Sequence, residues 1–285
     1  MKLMVLDGNS VINRAYYGVR ALTTKDGFFT NAIYGFLNIL EKLRAEEQPD
    51  ALCVAFDLKA PTFRHLQYDG YKATRHPMPD ELAMQMPVMK DVLRAMQIPI
   101  FECEGWEADD VIGTIGKRCS HAGWNCVIVT GDRDSLQLID EHVTVKLVSS
   151  KLSQTVAVNY DPAKFREEYG FDPIHLIDLK ALMGDSTDNI PGVAGVGPKT
   201  ATQLLLDYGT LDGVYAHLDA IKEKLRAKLE QGKDSAYLSY DLATIRCEAP
   251  IAFSPEACLV QPYDEAALYR LFTRLEFTRL ISRYG

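Results

Sequence analysis

The sequence predicts an α/β protein, a mostly parallel central sheet covered by helices, leading into a helical C-terminal half. Three observations carry this. Apolar runs at Leu3–Leu6, Ala51–Phe56 and Cys126–Thr130 lack polar alternation, so both of their faces are buried, as in a parallel sheet. Each run ends at a carboxylate: Asp7, Asp57, and Asp132 after Gly131. Between the runs the apolar spacing becomes helical, with Ile33, Phe36, Leu37, Leu40 and Leu43 on one stripe and a second helix from Ala108 to Cys119.

In chain order, Thr30 or Asn31 caps the first of these helices. Residues 58–100 interrupt the alternation. Pro61, Pro77, Pro79 and Pro87 forbid one long helix, yet Leu82, Met86, Met89, Leu93 and Met96 keep a helical stripe, kinked or begun anew at Pro87. A long insertion directly after a site strand reads as a functional lid. Val143–Leu147 and Thr155–Val158 read as a hairpin. From about Asp161 the pattern is helical, with Ile221, Leu225 and Leu229 on one face and Leu268, Leu271, Phe272 and Leu275 on another. No long linker separates the halves, so a core over 1–160 and a helical part over 161–285 are expected to pack as one unit.

Composition narrows the class. The 285 residues are 47% hydrophobic and 25% charged, which excludes disorder and low complexity. No apolar run approaches the ~18 residues that cross a bilayer. The first strand is cut by Asp7 and makes no signal peptide, so a soluble, cytoplasmic chain is expected, with no membrane partner. The six cysteines include no C-x-x-C pair, and no histidines stand at metal-binding spacing. Free thiols are therefore expected, and a zinc site is not.

The chemistry lies in four acidic groups: Asp7 with Asp57; Glu107, Asp109 and Asp110 opening a helix; Asp132 and Asp134; and Asp185 and Asp188 in Gly184-Asp185-Ser186-Thr187-Asp188-Asn189. Singly, each is explained by a helix start or a turn. In an open α/β sheet, however, ligands sit beyond the carboxyl ends of the strands, where Asp7, Asp57 and Asp132 all fall. Nine carboxylates converging there repel by about 1 kcal/mol per pair at ~4 Å even in water. The neighbouring sequence is expected to hold too few Lys and Arg to neutralise them. Divalent Mg²⁺ or Mn²⁺, which prefer oxygen ligands, would do so, and two such ions form the clamp used in phosphoryl chemistry. The formal charge is −8, from 31 bases and 39 acids; setting the nine aside leaves 30 acids, a nearly neutral remainder that permits a nucleic acid partner.

Two further segments suit such a partner. Gly192-Val193-Ala194-Gly195-Val196-Gly197-Pro198-Lys199-Thr200 combines three glycines, which allow a tight turn with bare backbone N–H groups, with a helix opening near Pro198. This is the spacing of a helix-hairpin-helix over about 184–206, a phosphate grip without base reading. The Walker spacing fails, because Pro198 follows Gly197. In the insertion, Arg64, His65, Lys72, Arg75 and His76 alternate with Phe63, Tyr68 and Tyr71, a composition suited to a single-stranded path.

Together these residues resemble the 5′-nuclease and flap endonuclease family, above all the 5′→3′ exonuclease domains of bacterial DNA polymerase I. The resemblance rests on Val5-Leu6-Asp7-Gly8-Asn9, Ala55-Phe56-Asp57, Tyr71-Lys72-Ala73-Thr74-Arg75, Glu107 to Gly113, Thr130 to Asp134, and Gly184 to Ala201. It implies a PIN-like nuclease core with an arch or clamp at about 58–100, and cleavage of DNA at a 5′ flap, nick or 5′ end, in primer removal and repair, by a monomer. An RNA–DNA hybrid is an alternative substrate. It also implies two Mg²⁺ ions, with Mn²⁺ as a substitute. Asp7, Asp57, Glu107, Asp109 and Asp110 would hold the first, and Asp132, Asp134, Asp185 and Asp188 the second. Lys72 and Arg75 would steer the scissile phosphate. Arg14 and Arg64 would contact DNA, as would Gly192, Val193, Gly195, Val196, Gly197, Lys199 and Thr200, with K⁺ at that hairpin. Two rivals remain: a DNA-binding module without catalysis, and a haloacid dehalogenase-type phosphatase, which needs a second acid where this chain has Asn9.

Overall fold

The computed structural model describes residues 1–151 and 154–284. Strands β1 (Lys2–Asp7), β2 (Ala51–Ala55), β3 (Ile100–Phe101), β4 (Asn125–Thr130), β5 (Val143–Lys151) and β6 (Gln154–Tyr160) form one sheet in the order β3-β2-β1-β4-β5-β6. All neighbours run parallel except β5 and β6, the expected hairpin, which closes one edge antiparallel. Two-residue β3 left no sequence pattern and was not anticipated.

The unbroken apolar runs follow from burial on both faces. Met4, Leu6, Leu52, Val54, Val127 and Val129 point to one side, where they meet helices α1 (Gly8–Gly18) and α2 (Asn31–Glu47). Leu3, Val5, Cys53, Cys126 and Ile128 point to the other and pack on helices from later in the chain. Helix α2 starts at Asn31 after Thr30, but no Thr30 side-chain bond caps it.

The 58–100 segment serves partly as a cover for the sheet. It contains α3 (Phe63–Gln67), α4 (Asp80–Ala83) and α5 (Met86–Ala95), the last begun anew with Pro87 in its first turn. Leu82, Val88, Met89, Val92 and Leu93 are buried against the α1–α2 side of the sheet, making α5 the crossover from β2 to β3. Only residues 72 and 75–79 of the segment line the cleft at the strand ends described below. The apolar stripe won: a crossover helix must cover the sheet.

On the opposite face lies α6 (Ala108–His121), then come α7 (Pro162–Tyr169), α8 (Leu176–Met183), α9 (Pro198–Tyr208), α10 (Leu211–Ala216), α11 (Glu223–Gln231) and α12 (Lys233–Ala243). The last helices, α13 (Glu265–Arg274) and α14 (Thr278–Tyr284), return to the α1–α2 side through Leu268, Phe272, Leu275 and Leu280. Between α8 and α9 the chain turns on itself, with Asp185 paired antiparallel to Ile190. Gly192 sits there at φ +64°, and a Cβ on it would lie 2.3 Å from the Gly184 nitrogen. Both constraints exclude any side chain. We expect Gly192→Ala to destabilise the protein by about 2 kcal/mol or more in urea unfolding; an unchanged midpoint would mean the two backbones can part here freely.

Candidate active site

The chain leaves β1 toward β2 on one side and returns to β4 on the other, so the sheet has its topological switch point beside β1. That is where an open α/β sheet leaves a crevice. A cleft of about 940 Å³ opens there. Asp7 is the last residue of β1 and lies in register with Ala55 at the end of β2, while Leu6 pairs with Val129 of β4. The carboxyl ends of three strands thus deliver Asp7, Asp57 and Asp132 to one place.

Each carboxylate is aimed by a local bond. Asp7 accepts from the Ser10 N–H at 3.2 Å and the Thr130 hydroxyl at 2.9 Å. Asp57 accepts from the Ala108 N–H at 2.7 Å, which ties the strand end to the first turn of α6. Asp132 accepts from the Asp134 N–H at 2.9 Å. Asp185 accepts from the Thr187 N–H at 2.9 Å, which turns the acidic loop toward the cleft.

Eight of the nine predicted acids line the cleft: Asp7, Asp57, Glu107, Asp109, Asp132, Asp134, Asp185 and Asp188. Asp110 does not. It is fully buried, its carboxylate gripped by the Arg64 guanidinium at 2.8 Å through both oxygens and by the Arg246 N–H at 2.9 Å. It also bonds the Glu107 N–H at 3.1 Å, closing the capping box of α6. Asp110 on N3 of a helix faces back along its own first turn, away from the strand ends.

Arg64 is corrected by the same contacts. Rather than presenting a charge to DNA, it is 2% exposed. It also donates to the Leu242 carbonyl at 2.9 Å and the Thr244 carbonyl at 2.6 Å, and pairs with Glu107. Its guanidinium also lies over the Phe63 ring, which packs edge-on against Trp106. Of the basic residues in that insertion, Lys72, Arg75 and His76 line the cleft.

The expected shortage of neutralising Lys and Arg holds in number, although several of the acids do have a cation against them. Lys72 pairs with Glu107, Arg75 with Asp188, and Lys180 bridges Asp134 at 3.4 Å and Asp185 at 3.2 Å. Lys180 was missed; its signal was a single cation in the last turn of apolar α8, directly before the acidic loop. Tyr71 was also unassigned as a partner, and its hydroxyl reaches both Glu107 oxygens at 3.0 Å. Even so, eight carboxylates face five Lys and Arg side chains in the lining, Arg14, Lys72, Arg75, Arg133 and Lys180, with His76 beside them. Arg133 is half spent outside, on Glu168 and Tyr169.

The excess shows in the ionisation of the acids. Burial, then the Asp57 charge, pushes Asp7 up to about 7. Burial and Asp132 raise Asp134 to about 7. Burial, with Asp132 and Asp7, raises Asp109 well above the carboxylate range. Glu107 goes the other way: burial raises it, but Lys72 and Arg64 outweigh that and hold it below its ordinary value.

The donor set fits divalent cations, since every group is a carboxylate oxygen and the crowding is relieved by positive charge. Oxygens of Asp134, Asp185 and Asp188 come within 4.8 Å of one another, and the Lys180 ammonium already sits against two of the three.

The hairpin candidates divide. The Gly192 N–H bonds Ser239 at 2.8 Å, Val193 N–H the Leu182 carbonyl at 2.9 Å, and Val196 N–H the Val193 carbonyl at 3.1 Å. These three are therefore structural, with both valine side chains in the core. The expectation that the Gly192 N–H is bare is corrected. Gly195, Gly197 and Lys199 are exposed around the start of α9, and Thr200 is half-buried in its first turn. Arg14 lies on the cleft rim beside Gly131.

Comparison with known proteins agrees with this layout. The model of the 5′-3′ exonuclease N-terminal resolvase-like domain matches residues 2–170, more than half of the chain. The chain belongs to the 5′-3′ exonuclease family. The C-terminal SAM fold of the same exonucleases matches residues 171–266. DNA polymerase I of Caldicellulosiruptor bescii is 46% identical over 285 residues, all of this chain and 34% of the relative. DNA polymerase I of Bacillus subtilis is 40% identical over 285 residues, 100% of the chain and 32% of the relative. The chain thus spans about a third of the curated relatives it matches. Among solved structures, T5 5′-exonuclease with divalent zinc bound has a TM-score of 0.68 at 20% identity, covering 100% of this chain and 99% of that one. The catalytic core of Rad2 with DNA substrate has a TM-score of 0.63 at 18% identity, covering 96% and 87%. Both show the fold that this exonuclease-family chain adopts. Among the described residues no helix is long and apolar enough to cross a membrane.

Two measurements test the site. Asp110→Asn breaks a buried ion pair and should lower stability by about 3 kcal/mol, while Mn²⁺ affinity by calorimetry stays near wild type; a lost metal site would return Asp110 to the ligands. For pH, Asp7 and Asp134 bind protons more tightly folded, near 7, than at the ordinary 3.8. The unfolded chain therefore holds fewer protons between the two values, and metal-free stability falls as pH rises from about 4 to 7. Mg²⁺ should raise Tm more at pH 8 than at pH 6 in scanning fluorimetry; equal increments would refute the assignment.

Proposed function

We propose that the chain is a divalent-metal-dependent, structure-specific 5′-nuclease that hydrolyses DNA phosphodiester bonds at a 5′ end, nick or flap and leaves a 5′-phosphate. The convergence of eight carboxylates on one cleft, opposite Lys72 and Arg75, carries this reading. Candidate ligands are Asp132, Asp134, Asp185 and Asp188 for one ion and Asp7, Asp57, Glu107 and Asp109 for the other, with Asp110 taken by Arg64. Bound Mg²⁺, or Mn²⁺ in its place, supplies Lewis acidity that lowers the pKa of water and offsets charge on the phosphoryl group.

The chain's own groups do the rest. The Ser10, Thr130 and Ala108 bonds hold the carboxylates in place before substrate arrives. Lys72 and Arg75 offer positive charge to the phosphate from across the cleft, acting electrostatically. Duplex DNA is proposed to lie on the Gly195–Thr200 turn, against exposed Gly195, Gly197 and Lys199, with the N-terminus of α9 at its backbone and K⁺ at the 184–206 hairpin. The 5′ strand would run past Arg14 and residues 75–79. An RNA–DNA hybrid fits the same backbone grip, and the protein is proposed to act as a cytoplasmic monomer in primer removal and repair. The two-part division, a nuclease core over 1–160 and a helical part over 161–285, is proposed with it.

The phosphatase alternative lacks its second acid, because residue 9 is Asn, and its side-chain oxygen accepts from the Asp57 N–H at 2.8 Å. A binding module without catalysis has no use for raised carboxylates. Asp109→Asn and Asp134→Asn should each slow Mg²⁺-dependent cleavage of a 5′-flap duplex by about 100-fold or more, with DNA binding retained in Ca²⁺. Undiminished cleavage by either variant would overturn the proposal.

A further inference from the structure

Two segments distant in sequence are fastened together at the edge of the cleft. The Lys72 N–H donates to the Asp188 carbonyl at 2.8 Å, and the Asn189 side-chain amide donates to the Gly70 carbonyl at 2.8 Å. Both Lys72 and Asn189 stand at φ +55°. Asparagine tolerates that left-handed region better than most residues, whereas a lysine stays there only where its surroundings hold it. Tyr71, between the two bonds, packs on Ile190 and Leu242. The Arg75 N–H closes on the Lys72 carbonyl at 3.1 Å, and its guanidinium pairs with Asp188.

We propose that Asn189 is a positioning residue: it latches residues 70–75 onto the acidic loop, so that the Lys72 ammonium and the Arg75 guanidinium are held over the cleft. The inference rests on the nuclease reading above. One loop then carries two acids of the cleft, Asp185 and Asp188, and the anchor of the cations that face them, so both charges keep one relative position. The site needs this because Lys72 reaches the cleft from a bend in the chain rather than from a helix or strand, and the turn bonds of its own segment, from Ala73 N–H to Gly70 and from Arg75 N–H to Lys72, do not tie that bend to the acidic loop. Asparagine alone combines the two requirements: a backbone that accepts positive φ and a short amide donor. Glycine keeps the first, aspartate lacks the donor, and alanine lacks both.

The test is single-turnover cleavage of a 5′-flap duplex in Mg²⁺ by the full chain carrying Asn189→Gly or Asn189→Ala, alone and with Lys72→Ala. Duplex affinity in Ca²⁺ and hydrogen exchange at the Lys72 amide are measured alongside. Asn189→Gly should slow cleavage about 10-fold with affinity unchanged, and Asn189→Ala should slow it further. Neither should add to the loss already caused by Lys72→Ala. Exchange at the Lys72 amide should quicken in both variants. Wild-type cleavage rates in Asn189→Gly, the same fold loss in both backgrounds, or a loss confined to affinity would each overturn the proposal. Should the wild type cleave nothing, the nuclease reading fails, and the exchange measurement still decides the latch: an amide as protected in Asn189→Gly as in wild type refutes it.

Discussion

Mutual repulsion among carboxylates that the sheet forces together is the constraint around which the rest of this protein is arranged. β1, β2 and β4 are adjacent and parallel, so their carboxyl ends cannot be separated without dismantling the sheet. Three acids therefore meet at the switch point whatever their charges prefer. The first turn of α6, the turn after β4 and the loop after α8 add five more. Folding to this arrangement works against electrostatics, and strands apolar on both faces supply the opposing drive.

The chain answers the repulsion in two ways. On the α6 side it uses fixed internal cations: Arg64 satisfies Asp110 and Glu107, and Lys72 adds a second charge to Glu107. Around Asp7, Asp109 and Asp134 it supplies less, and those carboxyls hold their protons far above the ordinary range. The division separates acids that build the site from acids left wanting an external cation. Neighbouring residues fall on opposite sides of it: Asp109 faces the cleft and Asp110 faces Arg64.

Much of this was legible in the residues alone. Unalternating runs marked the buried strands because a parallel sheet has no wet face, and the acids that follow them lay where topology predicts a crevice. What failed did so for a common reason. Side-chain direction within one helical turn decides whether Asp110 or Asp109 reaches the cleft, and spacing in a contiguous acidic run does not encode it. Arg64 among aromatics reads equally as a DNA contact or as a buried cation, and only the tertiary partners in α6 and after α12 choose. The 58–100 segment was read as a lid because it follows a site strand, and residues 72 and 75–79 do line the cleft, while its apolar stripe belongs to a crossover helix with a face to bury. Lys180 escaped notice because its partners come from two other segments.

The buried guanidinium of Arg64 has a mechanical consequence. It joins α3, the start of α6 and the carbonyls of Leu242 and Thr244 through a single side chain. Gln137 repeats the tie from another direction, donating to the Ala243 carbonyl and accepting from the Ile245 N–H, both at 2.9 Å. The stretch after α12 is thereby tied to the sheet half by polar groups that are buried, and satisfied, only while the two parts stay packed. Separating the C-terminal helices from the sheet half therefore means breaking a buried ion pair together with its hydrogen bonds, which couples the stability of one half to that of the other.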